Sequence, residues 1–166
     1  MTENKDKFRK RRDTVLAHAG RDPGANHGIV NPPVYHASTV VFPTLAKLEA
    51  SQAAPFDHIH YGRYGTPTTL ALEDAVAALA GGDKAISMPS GLSAIACTLQ
   101  SFLHVGDHAL IVDSTYFPTR RLCDGLLAGF GVEVTYYDPL IGARIADLIR
   151  PNTRLVYLES PGSLTF

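Results

Sequence analysis

The chain has 166 residues, 45% of them hydrophobic and 19% charged, and a net charge of -1. That is enough chain to bury a core and too apolar for a disordered segment. The near-neutral balance argues against a general attraction to nucleic acid or to an acidic membrane, and no stretch is long and apolar enough to span a bilayer.

The basic run Lys7-Phe-Arg-Lys-Arg-Arg12 is local and interrupted by Glu3, Asp6 and Asp13. It reads as a solvated face or an inter-subunit arm. No apolar run follows it, so no secretory signal is read and a cytoplasmic location is expected. Cys97 and Cys123 stand far apart in apolar helical contexts, the pattern of reduced, buried thiols and not of a disulfide framework or a metal knuckle.

Up to about residue 60 the chain is expected to be irregular, because Pro23, Pro32, Pro33, Pro43 and Pro55 break any long helix. One short helix is expected from Thr44, with Leu45 and Leu48 on one face. This segment has little to bury by itself and reads as an arm that lies on another surface. From Pro67 the pattern becomes regular. Leu70, Leu72, Val76 and Leu79 recur at helical spacing, and Gly81-Gly82 ends that helix. Lys84–Met88 is a predicted strand. A helix follows from Ser90 through Ile95 and Leu99 to about Leu103. His108–Val112 is a predicted buried strand, and a helix from about Phe117 to Leu127 is stopped by Gly129 and Gly131. Val132–Tyr136 is a predicted strand, Ile141–Ile149 a helix ended before Pro151, and Arg154–Leu158 the last strand. Alternating strands and helices with short connections predict an α/β layer fold with a mainly parallel sheet and flanking helices.

Ligands of such sheets collect beyond the carboxyl ends of the strands. The loops after Met88, Val112 and Leu158 all lie at such ends, and each is chemically biased. Ser90-Gly91-Leu92 opens a helix, where free amides and the positive helix end suit a phosphate; the same serine also reads as an ordinary cap. Arg63, in Tyr61-Gly-Arg-Tyr-Gly65, offers a planar fork to a phosphate and Tyr61 a hydroxyl, or the segment is an exposed turn with a stacked cation. The Tyr116 ring is placed either to stack on a flat ligand or to pack in the core. Glu159 and Ser163 follow the last strand and either orient polar groups of a ligand or cap the next element. His58 and His60 share one side of an extended segment, but no third metal ligand lies nearby. Dinucleotide, nucleoside-triphosphate and esterase motifs are absent from the sequence.

In this order, Asn31-Pro-Pro-Val-Tyr35, Tyr61-Gly-Arg63, Ser90-Gly-Leu-Ser-Ala94, Gly106-Asp-His108, Tyr137-Asp-Pro-Leu-Ile-Gly-Ala143 and Glu159-Ser-Pro-Gly-Ser163 resemble the Cys/Met-metabolism family of pyridoxal-phosphate enzymes. The resemblance runs from about His18 to the end of the chain. It implies a fold-type I, aminotransferase-like α/β architecture with pyridoxal 5'-phosphate as cofactor. Residues 1–60 would be an arm contacting a partner subunit, and residues 61–166 the first part of the cofactor-binding domain. The Asp138–Gly142 and Glu159–Ser163 motifs resemble the β-lyase branch, since γ-lyases and γ-synthases usually carry asparagine where Ser163 stands.

By the same resemblance, Gly91 and Leu92 match the amides that hold the phosphate, with Ser90 beside them. Tyr61 and Arg63 match a pair that reaches the phosphate across a dimer interface, Tyr61 also approaching the substrate. Tyr116 matches the ring stacked on the pyridine, and Glu159 and Ser163 belong to the cofactor-binding set. The implied substrate is a small amino acid, cystathionine, cleaved to homocysteine, pyruvate and ammonia by a homodimer or homotetramer. A γ-synthase, γ-lyase or sulfhydrylase of the same family is the alternative, and a non-catalytic remnant or interaction module is another.

The family's cofactor-bearing lysine, the aspartate facing the pyridine nitrogen and the arginine for the substrate carboxylate fall beyond the matched motifs. The last lysine here is Lys84, which does not match the lysine motif. The expectation is therefore an amino-terminal part of such an enzyme, truncated before the cofactor lysine and inactive by itself.

Overall fold

The structure is a computed structural model that describes residues 11–54 and 58–166. Lys7–Lys10 of the basic run, and Pro55, lie outside the described residues. The chain divides into two compact units, Met1–Ser87 and Met88–Phe166.

In the first unit, α1 spans Arg12–His18, α2 Leu45–Ala53 and α3 Pro67–Ala80, with α1 packed on α3. Thr44 caps α2 by accepting a hydrogen bond from the Lys47 amide. A capping box at Thr66 and Thr69, followed by Pro67, starts α3, and Gly81 ends it with a left-handed φ of 75°. The helix α1 contradicts the expectation of irregular chain there. It has no buried residue, so no apolar stripe announced it. The predicted strand Lys84–Met88 is also corrected: the segment pairs with no strand among the described residues. The Ser87 amide instead donates to the Glu73 carboxylate at 2.7 Å. The alternation of Ile86 and Met88 suits a strand, but a strand exists only with a partner ladder.

The second unit is a three-layer α/β body. Its sheet has β1 (His108–Val112) at the centre, flanked by β2 (Glu133–Tyr137) and β3 (Thr153–Tyr157), and both pairings are parallel. All five residues of β1 are buried, as expected for a strand covered on both faces. Ala109 and Ile111 pack with Leu99 and Leu103 of α4 (Gly91–Phe102) and its C-cap, and with Cys123 and Leu127 of the next helix. Leu110 and Val112 point the other way, towards Tyr137 and the half-buried Ile141, Ile145 and Leu148. That second cover is a 3₁₀ helix, Gly142–Leu148. The helix predicted from Phe117 begins as α5 (Phe117–Arg121) and continues through a π-turn, Leu122–Leu127. Burial pushes the Cys123 thiol up to about 11, so this cysteine is a packed apolar group.

A titratable residue is among the buried ones. His108 is fully buried and lies between two threonines, its Nδ1 2.7 Å from Thr153 Oγ1 and its Nε2 2.9 Å from Thr135 Oγ1. Burial, reinforced by the Arg150 guanidinium, pushes its pKa below the usual 6.5. A lowered folded-state pKa means that the unfolded chain takes up the proton first. Its contribution to stability is therefore full above pH 6.5 and is lost as pH falls from there towards the folded-state value. Chemical unfolding followed at pH 7.5, 6.5 and 5.5 should lose stability with a slope from this group of at most about 1.4 kcal/mol per pH unit. A His108→Gln variant should show a shallower decline over that window. An identical decline would assign the effect to other groups.

Candidate functional site

In the second unit, two loops meet beyond the carboxyl ends of β1 and β3. Asp113 to Thr115 lead out of β1 into Tyr116, which is the residue preceding α5. Glu159 follows β3, and its Oε2 is the shared acceptor of three donors. These are the Thr115 hydroxyl at 3.2 Å, the Tyr116 amide at 3.2 Å and the Tyr157 hydroxyl at 3.3 Å. Burial, with the nearby Glu159 charge, raises the Tyr157 hydroxyl above its ordinary value, so it stays a protonated donor.

The same two loops are tied a second time. The Ser163 amide donates to the Ser114 carbonyl at 2.8 Å. Gly162 lies against the Ser114 side chain, where a Cβ would come within 2.6 Å of the hydroxyl. The Tyr116 ring is about half exposed and makes no ring or hydrogen-bond contact among the described residues.

A further contact set holds the start of this loop. The Arg120 guanidinium donates to the Asp113 carbonyl at 2.8 Å and pairs with the Asp113 carboxylate. It also lies 3.8 Å over the Tyr136 ring, whose hydroxyl donates to Asp124. The hydrogen bond to Asp113 raises the arginine's already high pKa, so it is a permanent cation. The loop after Val112 was singled out from the sequence, but no role was assigned to Asp113, Thr115 or Arg120. The only signal was a threonine next to the candidate ring, since convergence on one carboxylate is invisible in one dimension.

At the other candidate segment, Ser90 caps α4. Its Oγ accepts from the Ser93 amide at 3.1 Å, and Ser93 Oγ accepts from the Ser90 amide at 3.0 Å. That box leaves the amides of Gly91 and Leu92, the first two helical residues, without a partner among the described residues. A Cβ on Gly91 would meet nothing within 4 Å. A side chain at Gly91 would therefore point into open space, beside two amides at the positive end of a 12-residue helix.

In the first unit, Tyr61 forms an isolated antiparallel bridge with Thr39, and the Gly62 amide donates to the Ser38 carbonyl at 2.6 Å. This fixes the turn that presents Arg63. The guanidinium lies 4.3 Å from the centroid of Tyr64 and 5.7 Å from that of Tyr61, and donates to the Tyr64 hydroxyl at 2.9 Å. Among the described residues it pairs with no carboxylate. His60 stacks on Tyr64 at 4.9 Å, and no group of three or more potential metal ligands occurs among the described residues. Tyr61 and Arg63 thus come together in the first unit, and Tyr116, Glu159 and Ser163 in the second.

In the second unit, two helix-start amides without a partner among the described residues suit a phosphate oxygen, and the half-exposed Tyr116 ring offers a flat surface. In the first unit, the Arg63 guanidinium, which pairs with no described carboxylate, is by itself an anion-binding group. Residues 13–166 match the family described as Cys/Met metabolism PLP-dependent enzymes. The chain belongs to that family, and its sheet and helices are those of a fold-type I α/β domain.

Among individual relatives, a Rhizobium johnstonii protein provisionally named a cystathionine β-lyase is 51% identical over 93% of this chain and 38% of its own length. The cystathionine β-lyase of Salmonella typhimurium is 41% identical over 94% of this chain and 40% of its own. The L-alanine/L-glutamate racemase of Wolbachia pipientis is 39% identical over 93% of this chain and 40% of its own. Among solved structures, the cystathionine γ-lyase of Lactobacillus plantarum complexed with L-serine superposes with a TM-score of 0.79. It is 30% identical and covers 92% of this chain and 38% of that one. The chain therefore spans about two-fifths of the length of the relatives it matches.

Proposed function

We propose that this chain supplies the phosphate end and the ring-stacking side of the active site of a carbon–sulfur β-lyase acting on cystathionine. The observation that carries the cofactor half of the reading is the pair of amides at Gly91 and Leu92, which have no partner among the described residues, at a glycine whose Cβ would meet nothing within 4 Å. Pyridoxal phosphate, when bound, supplies an electron sink that lets a proton leave the carbon bearing the substrate amine and a thiol leave the next carbon.

The chain's own residues do the holding. The Gly91 and Leu92 amides, with the Ser90 cap beside them, receive phosphate oxygens. Arg63 adds a bidentate cation and Tyr61 a hydroxyl. The Tyr116 ring lies against one face of the pyridine, and Ser163 fixes polar groups at its edge. Tyr61 is also the group proposed to approach the substrate. The Tyr61-Gly-Arg63 segment is proposed to serve a neighbouring subunit, with residues 1–60 as the arm that crosses between subunits. Such an enzyme is at least a dimer by light scattering.

The β-lyase assignment rests on Asp138-Pro-Leu-Ile-Gly142 and on Ser163 in Glu159-Ser-Pro-Gly-Ser163, and is supported by the names of two of the relatives. The γ-type alternative is favoured by the γ-lyase likeness. The two differ in product. With cystathionine, the assembled enzyme should release pyruvate and a free thiol. Release of 2-oxobutyrate instead would assign the γ-type reaction. Interconversion of L- and D-alanine with no cleavage of cystathionine would replace the lyase reading by a racemase.

A further inference from the structure

Tyr116 poses a mechanical problem. Its ring is half exposed and in contact with no other ring among the described residues, so its placement depends strongly on how its backbone is held. The backbone fixes the point and direction from which the ring projects. On the carbonyl side, Tyr116 accepts hydrogen bonds from the Thr119 amide at 2.9 Å and the Arg120 amide at 3.2 Å, the first bonds of α5. On the amide side no helical acceptor exists, because this residue precedes the first turn. The acceptor comes from another loop: the Glu159 carboxylate, 43 positions away in sequence.

The same carboxylate oxygen also receives the hydroxyl of Thr115, the residue before Tyr116 and itself buried. It further receives the hydroxyl of Tyr157, two residues back on β3. Glu159 thus grips two consecutive residues of the β1 loop and is braced by its own strand. All three donors use one oxygen, Oε2, at 3.2–3.3 Å. The Ser163–Ser114 bond ties the same loops one residue further back.

We propose that Glu159 is a positioning residue: its carboxylate, by holding the Tyr116 amide and the Thr115 hydroxyl, fixes the place from which the Tyr116 ring projects, and it does not act by touching the cofactor. This rests on the proposed stacking of that ring on pyridoxal phosphate.

Two measurements on the assembled enzyme separate the alternatives. The first needs no cofactor. Amide hydrogen exchange at Tyr116 should speed up by roughly 10-fold or more in Glu159→Ala, and less in Glu159→Gln, which keeps a carbonyl acceptor and the side chain's volume. Unchanged exchange at Tyr116 in Glu159→Ala would overturn the proposal. The glutamine variant guards against an alanine variant that does not fold.

The second is a double-mutant cycle on pyridoxal-phosphate affinity, read by induced circular dichroism in the cofactor band. Glu159→Ala should weaken binding by about 10-fold in the parent and by less than about 2-fold in a Tyr116→Ala background, because a residue acting through the ring has nothing left to position. An undiminished loss in the Tyr116→Ala background would show direct contact and overturn the proposal. Failure of the parent enzyme to bind pyridoxal phosphate would remove the proposed function itself, and with it the stacking role. The exchange measurement would still decide whether Glu159 holds the Tyr116 backbone.

Discussion

Gly62→Ala should unfold the turn that carries Arg63, with a loss on the order of 3 kcal/mol. The reason is close approach and not backbone twist. A Cβ at this position runs into the Ala37 carbonyl oxygen, and would lie 2.6 Å from the Ala37 carbonyl carbon and 2.9 Å from Ser38 Cα. All three are main-chain atoms, so no rotamer change relieves the clash. The Gly62–Ser38 hydrogen bond and the Thr39–Tyr61 bridge should be lost together, since the turn must move away from 37–39 to admit the methyl group. Gly91→Ala is the matched control. Its Cβ meets nothing within 4 Å, so its melting temperature should stay near that of the parent. Thermal melts of the two variants side by side make the test. Equal stability of Gly62→Ala and the parent would refute the steric reading.

The second large effect concerns affinity. In the assembled enzyme, Arg63→Ala should weaken pyridoxal-phosphate binding by roughly 10- to 150-fold. That is the equivalent of about 1.5–3 kcal/mol for a charge-assisted contact. Arg63 is suited to this because two tyrosine rings and a phenol hydroxyl hold its guanidinium while no described carboxylate neutralises it. Arg63→Lys should recover only part of the loss, because an ammonium cannot give the planar two-point contact and stacks less well on Tyr64. Titration of apo-enzyme with cofactor reads both. Retention of full affinity in Arg63→Ala would remove this residue from the phosphate site.

Much of the second unit was legible because its signals are local. β1 is an unbroken apolar run with one histidine at its start, bounded by Gly106-Asp107 and Asp113, and its predicted limits are the observed ones. The predicted strands Val132–Tyr136 and Arg154–Leu158 are each displaced by one residue from β2 and β3. Ser90 and Gly81 mark a helix start and a helix end through their own backbone chemistry. What escaped depends on partners. The Lys84–Met88 segment has the residues of a strand, but Ile86 remains exposed and no strand among the described residues completes a ladder with it. α1 has no fully buried residue and left no periodic stripe to read. At the site, each candidate residue was visible as a type in a loop. The three-donor grip of Glu159 was not, because Thr115, Tyr116 and Tyr157 approach it only when two strands come together.

The buried imidazole at the head of β1 has a consequence for how the sheet finds its alignment. A strand that alternates apolar and polar residues announces its own register, since a slip by one residue turns its polar groups inward. β1 cannot do this, being buried on both faces, and one apolar residue in it looks much like the next. His108 is the exception. Its two nitrogens meet a hydroxyl from β2 on one side and from β3 on the other. Sliding either neighbour by one position strands a ring nitrogen in a dry core, at a cost of about 1–3 kcal/mol. A single histidine thus acts as an alignment pin for three strands at once, and errors of pairing during folding carry their own penalty.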